Sequence, residues 1–367
     1  LKARLARELS RLTFERWRKQ GTVQNSKFKS STGKTIFGNS GFEAVEAALK
    51  TAVLATGKNG VIAFTGAYHG LGYGALNATH REHFRERFQS QLGAFGHFAP
   101  FPSCGSCQCK PKRGSKECGQ LHDIESSLRE IFYRQKIGAV LVEPVQARGG
   151  INIPDRKFLP LLRRLCDEHD ALLILDEIYT GFGRTGAWFA CEHSRVIPDL
   201  ICLGKALTGG FPLSACVGRA EIMDRAWPLS NGEAIHTSTF LGHPVGCAMA
   251  LAQLKELQTR RLPERSKAFG TYLLDQLRTL EVGADYQVLV RGIGLMAGVE
   301  LRHHDDSPAM LEALGIIKRL LHRGFILLPE GEHGNVISFT PPLTISKPQL
   351  RRAVRALQTE LFNLTPS

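Results

Sequence analysis

Two reactive side chains stand where strand-like runs stop. In "ALLILDEIYTGFGRTG" (171–186) an apolar run ends on Asp176 and Glu177 and then breaks up in glycines. In "LICLGKALTGGFPLS" (200–214) Lys205 follows a second apolar run, again amid glycines. Apolar runs of this length bounded by turn residues read as buried strands. A carboxylate at the end of one is costly unless a positive group meets it. A lysine drawn into a partly desolvated site loses its proton more easily, which suits Schiff-base chemistry with a carbonyl compound. On neighbouring strands, the acid and the amine would address two ends of one small molecule.

Pyridoxal phosphate suits both ends. Its ring nitrogen must stay protonated for the ring to accept electrons, and a neighbouring carboxylate raises that nitrogen's pKa, about 1.36 kcal/mol per unit. Its aldehyde suits Lys205, and its phosphate needs a third group. "GNSGFEAVEAAL" (38–49) supplies a Gly-Asn-Ser-Gly turn opening into a helix. Backbone N–H groups at such a start, with the Ser40 hydroxyl, would bind a phosphate. "GAYHG" (66–70) follows the run "GVIAF" and places Tyr68 where an aromatic ring could stack on a flat one. Ile178 lies two residues past Asp176, on the same side of a strand, and could cover the opposite face.

The elements that must hold these residues alternate along the chain. Segments 60–64, 139–145, 171–178, 200–204 and 213–218 read as short buried strands, and 43–56 and 157–169 as helices. The alternation predicts an α/β fold: a mostly parallel central sheet flanked by helices. Working residues collect beyond the carboxyl ends of such strands, where Asp176 and Lys205 fall. From about 256 the pattern changes to an amphipathic helix, "GIGLMAGVEL", a helix over 309–323 and "NVISFTPPLTI", a smaller α+β domain. The expected division is a basic N-terminal arm (1–34), a large cofactor-binding domain (35–255) and a small C-terminal domain (256–367).

Composition bounds the remaining choices. The 367 residues are 43% hydrophobic and 22% charged, enough for a sizeable core. No run reaches the roughly 18 apolar residues of a membrane helix, and the first residues lack the apolar core of a secretion signal. Of nine cysteines, Cys166, Cys202, Cys216 and Cys247 lie in apolar or small-residue runs, a usage that suits a reducing compartment and a cytoplasmic protein. The net charge is +13, of which residues 1–34 hold +8. No nucleic-acid reader motif accompanies that charge, so it reads as a solvated basic face and nucleic acid is not expected as a partner. "CGSCQCKPKRGSKEC" (104–118) has thiols that zinc would accept but lacks the usual paired spacing, and no metal is assigned.

Taken together, "NSGFEAVEAALK", "YHG", "VEPVQARGG", "LDEIYTGFGRTG", "GKALTGGFPLS" and "HTSTFLGHP" resemble, in order and spacing, the class III (ω-amino acid type) pyridoxal-phosphate-dependent aminotransferases of fold type I. The resemblance covers roughly residues 35–346. It implies that Lys205 forms the Schiff base and shuttles the substrate proton, and that Asp176 pairs with the pyridinium. Ser40, Gly41 and the Phe42 amide would cradle the phosphate, Tyr68 and Ile178 would flank the ring, and Glu143 would line the cofactor site. Thr239 would reach the phosphate of a neighbouring subunit, which implies a homodimer with shared active sites. The activity implied moves an amino group from an amino acid or amine donor to a 2-oxo acid. An aminomutase, a decarboxylase or a truncated non-catalytic binder of the cofactor would keep the same fold.

Three positions depart from the family pattern. Tyr179 stands where many members have a glutamine and could donate to the ring's phenolic oxygen. Arg148 replaces a glutamate, and Ser338 replaces an arginine that often pairs with it. The positive charge has thus moved, and Arg148 is the candidate for a substrate carboxylate, since a guanidinium fork suits one; the alternative is an arginine facing solvent or Glu143. Members usually carry further pocket-lining residues ahead of the phosphate loop, where residues 1–34 match nothing, so the chain reads as a fragment or a diverged arm.

Overall fold

The computed structural model describes residues 1–19, 32–102, 119–229 and 231–364, so the cysteine loop lies outside the described residues. The strands are β1 (Gly33–Gly38), β2 (Gly60–Phe64), β3 (Gly96–Ala99), β4 (Ile137–Val142), β5 (Leu172–Asp176), β6 (Leu200–Leu203), β7 (Ser214–Arg219), β8 (Tyr286–Ile293), β9 (Met296–His303), β10 (Leu328–Glu330) and β11 (Val336–Phe339). The helices are α1 (Lys2–Ser10), α2 (Arg16–Lys19), α3 (Gly41–Thr56), α4 (Tyr73–Ala78), α5 (Glu82–Arg85), α6 (Gly119–Arg134), α7 (Phe158–Glu168), α8 (Ala220–Ala226), α9 (Pro244–Thr259), α10 (Leu262–Leu277), α11 (Met310–His322) and α12 (Lys347–Phe362).

The first seven strands form one sheet in the order β1-β7-β6-β5-β4-β2-β3. All pairings are parallel except those of β7 with β1 and β6. Strands β2, β4, β5 and β6 are buried along their whole length, as continuous apolar runs covered on both faces should be. One face is covered by α3, whose buried residues are mostly alanines (Ala44, Ala47, Ala48, Ala52) that let the helix sit close. The other is covered by larger side chains, among them Leu128 of α6 and Phe158, Leu162 and Leu165 of α7. Parallel strands covered this way bring four carboxyl ends to one side: the turn at 66–70, Glu143, Asp176 and Lys205.

The second sheet is antiparallel, in the order β10-β11-β9-β8. Helices α10, α11 and α12 bury Leu273, Ile316, Leu320 and Leu357 against Val299, Leu301 and Ile337. Two arginines tie this layer to the large sheet. Arg184 donates to the carbonyls of Leu295 (2.9 Å) and Pro341 (2.6 Å), and Arg291 donates to that of Gly150 (2.9 Å).

The expected solvated arm is in part something else. Residues 2–19 are helical and pack against β1 and α9. Leu5, Leu9 and Trp17 are fully buried, with the Trp17 ring edge-on to Phe14 and Phe189 and its Nε1 donating to Glu192 (3.0 Å). An apolar stripe runs beneath the basic residues, and counting charge alone hid it.

Candidate active site

The four carboxyl ends enclose a cavity of about 490 Å³, lined by Gly41, Phe42, Tyr68, His69, Glu143, Arg148, Asp176, Ile178, Tyr179 and Lys205 among others. Asp176 closes β5 and is buried. Its Oδ1 accepts the Ile178 N–H (3.1 Å), and its Oδ2 lies 2.8 Å from His69 Nδ1. The His69 side chain is wholly buried and its Nε2 has no hydrogen-bond partner among the described residues. Asp176 is thus held on two sides while its carboxylate fronts the cavity. His69 is one residue that sequence reasoning missed; "YHG" carried it, but only the fold brings it to Asp176.

Lys205 follows β6 and is exposed to the cavity rather than to open solvent. Desolvation there lowers its pKa, against the opposing pull of Asp176 and Glu143. Its Nζ lies over the Tyr179 ring, 4.6 Å from the centroid, and it makes no ion pair among the described residues. An amine so placed is nearer its nucleophilic form than a surface lysine.

Glu143 follows β4. Its Oε1 accepts the Tyr68 N–H (3.0 Å) and its Oε2 that of Ala147 (3.1 Å), which clips the 66–70 turn to the loop after β4. Complete burial pushes its pKa up to about 7, and Asp176 adds to the rise, while His69 and the two amides oppose it.

At the cavity's edge α3 begins at Gly41. The Gly41 and Phe42 N–H groups lie ahead of the first helical bonds, which Glu43 and Ala44 make to the Ser40 carbonyl, and they carry the positive end of the helix dipole. A side chain at Gly41 would meet Ile178 at 3.0 Å, and one at Gly70, where φ is +114°, would meet the Phe42 Cβ at 2.4 Å. The glycines keep this end of the cavity open and let the chain approach closely.

Ser40 and Tyr179 also have partners within the chain. Ser40 is the N-cap of α3 rather than a cavity-lining residue. Glu43 reaches back to it, accepting the Ser40 N–H at 2.8 Å in a capping box, so Ser40 serves the helix start while Gly41 and Phe42 face the cavity. The Tyr179 hydroxyl donates to Thr340 Oγ1 (3.1 Å) of the small domain, and it is the Tyr179 ring that meets Lys205. Thr239 lies exposed on the surface and does not line this cavity.

Arg148 makes no ion pair with Glu143 and is partly exposed to solvent. Its guanidinium lies over the Tyr68 ring (4.8 Å) and near that of Phe84 (5.8 Å), with Nε 4.0 Å from Oε2 of the buried Glu330. Arg81 donates to the carbonyls of both Arg148 and Gly331. Neither Arg81 nor Glu330 belongs to a motif, so no local signal points to them.

These residues fit pyridoxal phosphate by their donor set. A buried, doubly held carboxylate and a desolvated amine line one cavity, at whose edge lies a glycine-opened helix start.

The sequence pattern described as Aminotransferase class-III matches residues 13–361. The 5-aminovalerate aminotransferase DavT of Pseudomonas aeruginosa is 40% identical over 336 residues, 90% of this chain and 75% of that protein. The putrescine aminotransferase of Pectobacterium atrosepticum is 38% identical, over 90% of this chain and 66% of its own length. The leucine/methionine racemase of Thermococcus litoralis is 34% identical, over 90% and 73%. Among solved structures, an amine transaminase from an uncultivated Pseudomonas species, in its PLP-bound form, superposes with a TM-score of 0.81 at 27% identity, covering 98% of this chain and 80% of that one. An (S)-enantioselective ω-transaminase from Thermomicrobium roseum gives 0.82 at 27%, over 98% and 78%.

Proposed function

This chain belongs to the class III aminotransferase family, and we propose that it transfers an amino group from an amine or amino acid donor to a 2-oxo acid, with pyridoxal phosphate held at Lys205. One observation carries the reading: Lys205, desolvated and without an ion-pair partner, shares a cavity with the buried Asp176–His69 pair. When bound, the cofactor supplies an aldehyde and an electron-accepting ring.

The remaining roles fall to the chain's own residues. Lys205 would hold the cofactor at its aldehyde, and its amine would carry the proton removed from the donor carbon. Asp176 holds the ring nitrogen in its protonated form, and His69 keeps that carboxylate aimed. The Ser40 hydroxyl and the Gly41 and Phe42 amides would take the phosphate at the start of α3. Tyr68 and Ile178 bound the ring's two faces, and Glu143 fixes the Tyr68 backbone. Arg148 holds the carboxylate of the 2-oxo acid. Residues 35–255 act as the cofactor-binding domain and 256–367 as the small domain.

A second copy of the chain completes the site. Phe42, Tyr73, Ile235 and Phe240 are large apolar side chains left exposed, and Thr239 sits beside Phe240, placed to reach a neighbour's phosphate rather than its own. No helix among the described residues is long and apolar enough to cross a membrane, and the five described cysteines are all buried and free, which supports a cytoplasmic enzyme.

The test is covalent fixation. Borohydride should fix pyridoxal phosphate to the peptide containing Lys205, and not to a Lys205→Ala variant. Donor loss and new amino acid should then appear in equal amounts. The racemase relative favours one second reading, racemisation of an amino acid by the same residues. Inversion of a single enantiomer with no 2-oxo acid required would establish that reading instead.

A further inference from the structure

Glu330 is a poorly satisfied carboxylate in the wall of the site. It ends β10 on the small domain and is buried, and its Oε2 accepts no hydrogen bond from the described residues. The nearest cation, Arg148 Nε, stands at 4.0 Å, too far for a hydrogen bond. An ionised carboxylate in that setting is stable only while a positive charge stays close.

The charged groups around Glu330 come from three elements. Arg148 lies on the loop after β4, Arg81 precedes α5, and Lys205 follows β6. Arg81 is committed to backbone carbonyls, those of Arg148 and Gly331, and the Gly331 N–H donates to Arg148 O at 3.1 Å. Glu332, on Glu330's own loop, faces Arg81 and His80. Arg291, behind the same turn, is paired with Glu300. Across the β10–β11 pair Glu330 is opposite Val336, which carries no charge. Among the described residues Arg148 is the cation nearest Glu330 that no close ion pair or backbone carbonyl holds: its partly exposed guanidinium rests on aromatic faces and lines the cavity.

We propose that Arg148 and Glu330 form a proton-linked carboxylate clamp, in which Arg148 leaves Glu330 to fork the substrate carboxylate and Glu330 takes up one proton from solution. The inference rests on Arg148 being the carboxylate-binding residue. The balance is simple: the ligand carboxylate brings one negative charge to Arg148, and protonation removes one from Glu330. Burial already raises the Glu330 pKa, with Arg148, Arg81 and Lys205 opposing that rise. Losing Arg148 raises it further. Carboxylate binding therefore weakens as pH rises from the free enzyme's Glu330 pKa to that of the complex, by up to about tenfold per pH unit.

Calorimetric titration of the holoenzyme with glutarate, an unreactive dicarboxylate, tests this in two buffers of different ionisation enthalpy. The wild type should take up close to one proton per glutarate in the pH range where affinity falls. Glu330→Gln should bind without uptake and with a flattened pH dependence. Arg148→Ala should lose at least tenfold in affinity while its cofactor remains fixable by borohydride. Undiminished uptake in Glu330→Gln, with Arg148→Ala impaired, overturns the clamp and leaves Arg148 as the carboxylate site. Wild-type affinity in Arg148→Ala, or no glutarate binding by the wild type, overturns both.

Discussion

Glu143 holds a proton at pH values where a carboxylate in water would not. Its pKa is pushed up to about 7 chiefly by burial, whereas an unfolded glutamate titrates near about 4.3. The native state therefore binds this proton more tightly than the unfolded state. The stability it contributes is complete below the unfolded value and is lost as pH rises through the folded one. Between pH 8 and pH 6 the holoenzyme should gain about 1 kcal/mol from this group. Glu143→Gln should remove that gain, whatever its pH-independent cost from the Tyr68 and Ala147 amides. Urea unfolding at the two pH values measures it, and an unchanged slope would place the proton elsewhere. Glu177, also buried and pushed up to about 7, leaves its own slope in both proteins. It accepts from Ala190 and Cys191 and lies away from the cavity lining, so its role is structural.

Helices α1 and α2 make a sharper test at the level of elements. If residues 2–19 were a solvated arm, Trp17→Ala would change stability by no more than about 0.5 kcal/mol. Packed between Phe14 and Phe189 and hydrogen-bonded to Glu192, the side chain should instead cost about 3–5 kcal/mol when truncated, read as a lowered urea midpoint at unchanged slope. Why charge misled here, while the strand ends did not, is a matter of distance along the chain. Asp176 and Lys205 were legible because each terminates an apolar run, a local signal. Strand β1 opens and closes on glycine, and β3 is a four-residue, half-buried edge strand next to β2. Neither has a periodicity long enough to read. His69 meets Asp176 from 107 residues away, and Glu330 meets Arg148 from the other domain. Such pairings are set by topology and leave no mark in any single window. At Ser40 the motif "NSGFE" marks both a phosphate turn and a capping box, and the placement of Glu43 adds the second role without removing the first.

At the scale of the whole molecule, the position of Thr239 decides how many chains an active site needs. It is exposed on the same chain whose cavity it does not line, and exposed apolar side chains accompany it at Ile235 and Phe240. If it reaches a partner's phosphate, each site takes Lys205 from one chain and Thr239 from the other. Lys205→Ala homodimers are then inactive, and Thr239→Asp homodimers lose cofactor affinity because a carboxylate is set against the phosphate. Mixed and allowed to exchange subunits, the two inactive proteins should recover activity. Half of the dimers are mixed, and each mixed dimer concentrates both lesions in one site and leaves the other intact, so recovery should approach about a quarter of the wild-type level. A single-chain site predicts no recovery, because every chain in the mixture carries a damaged residue of its own. Transaminase activity measured before and after exchange separates the two arrangements.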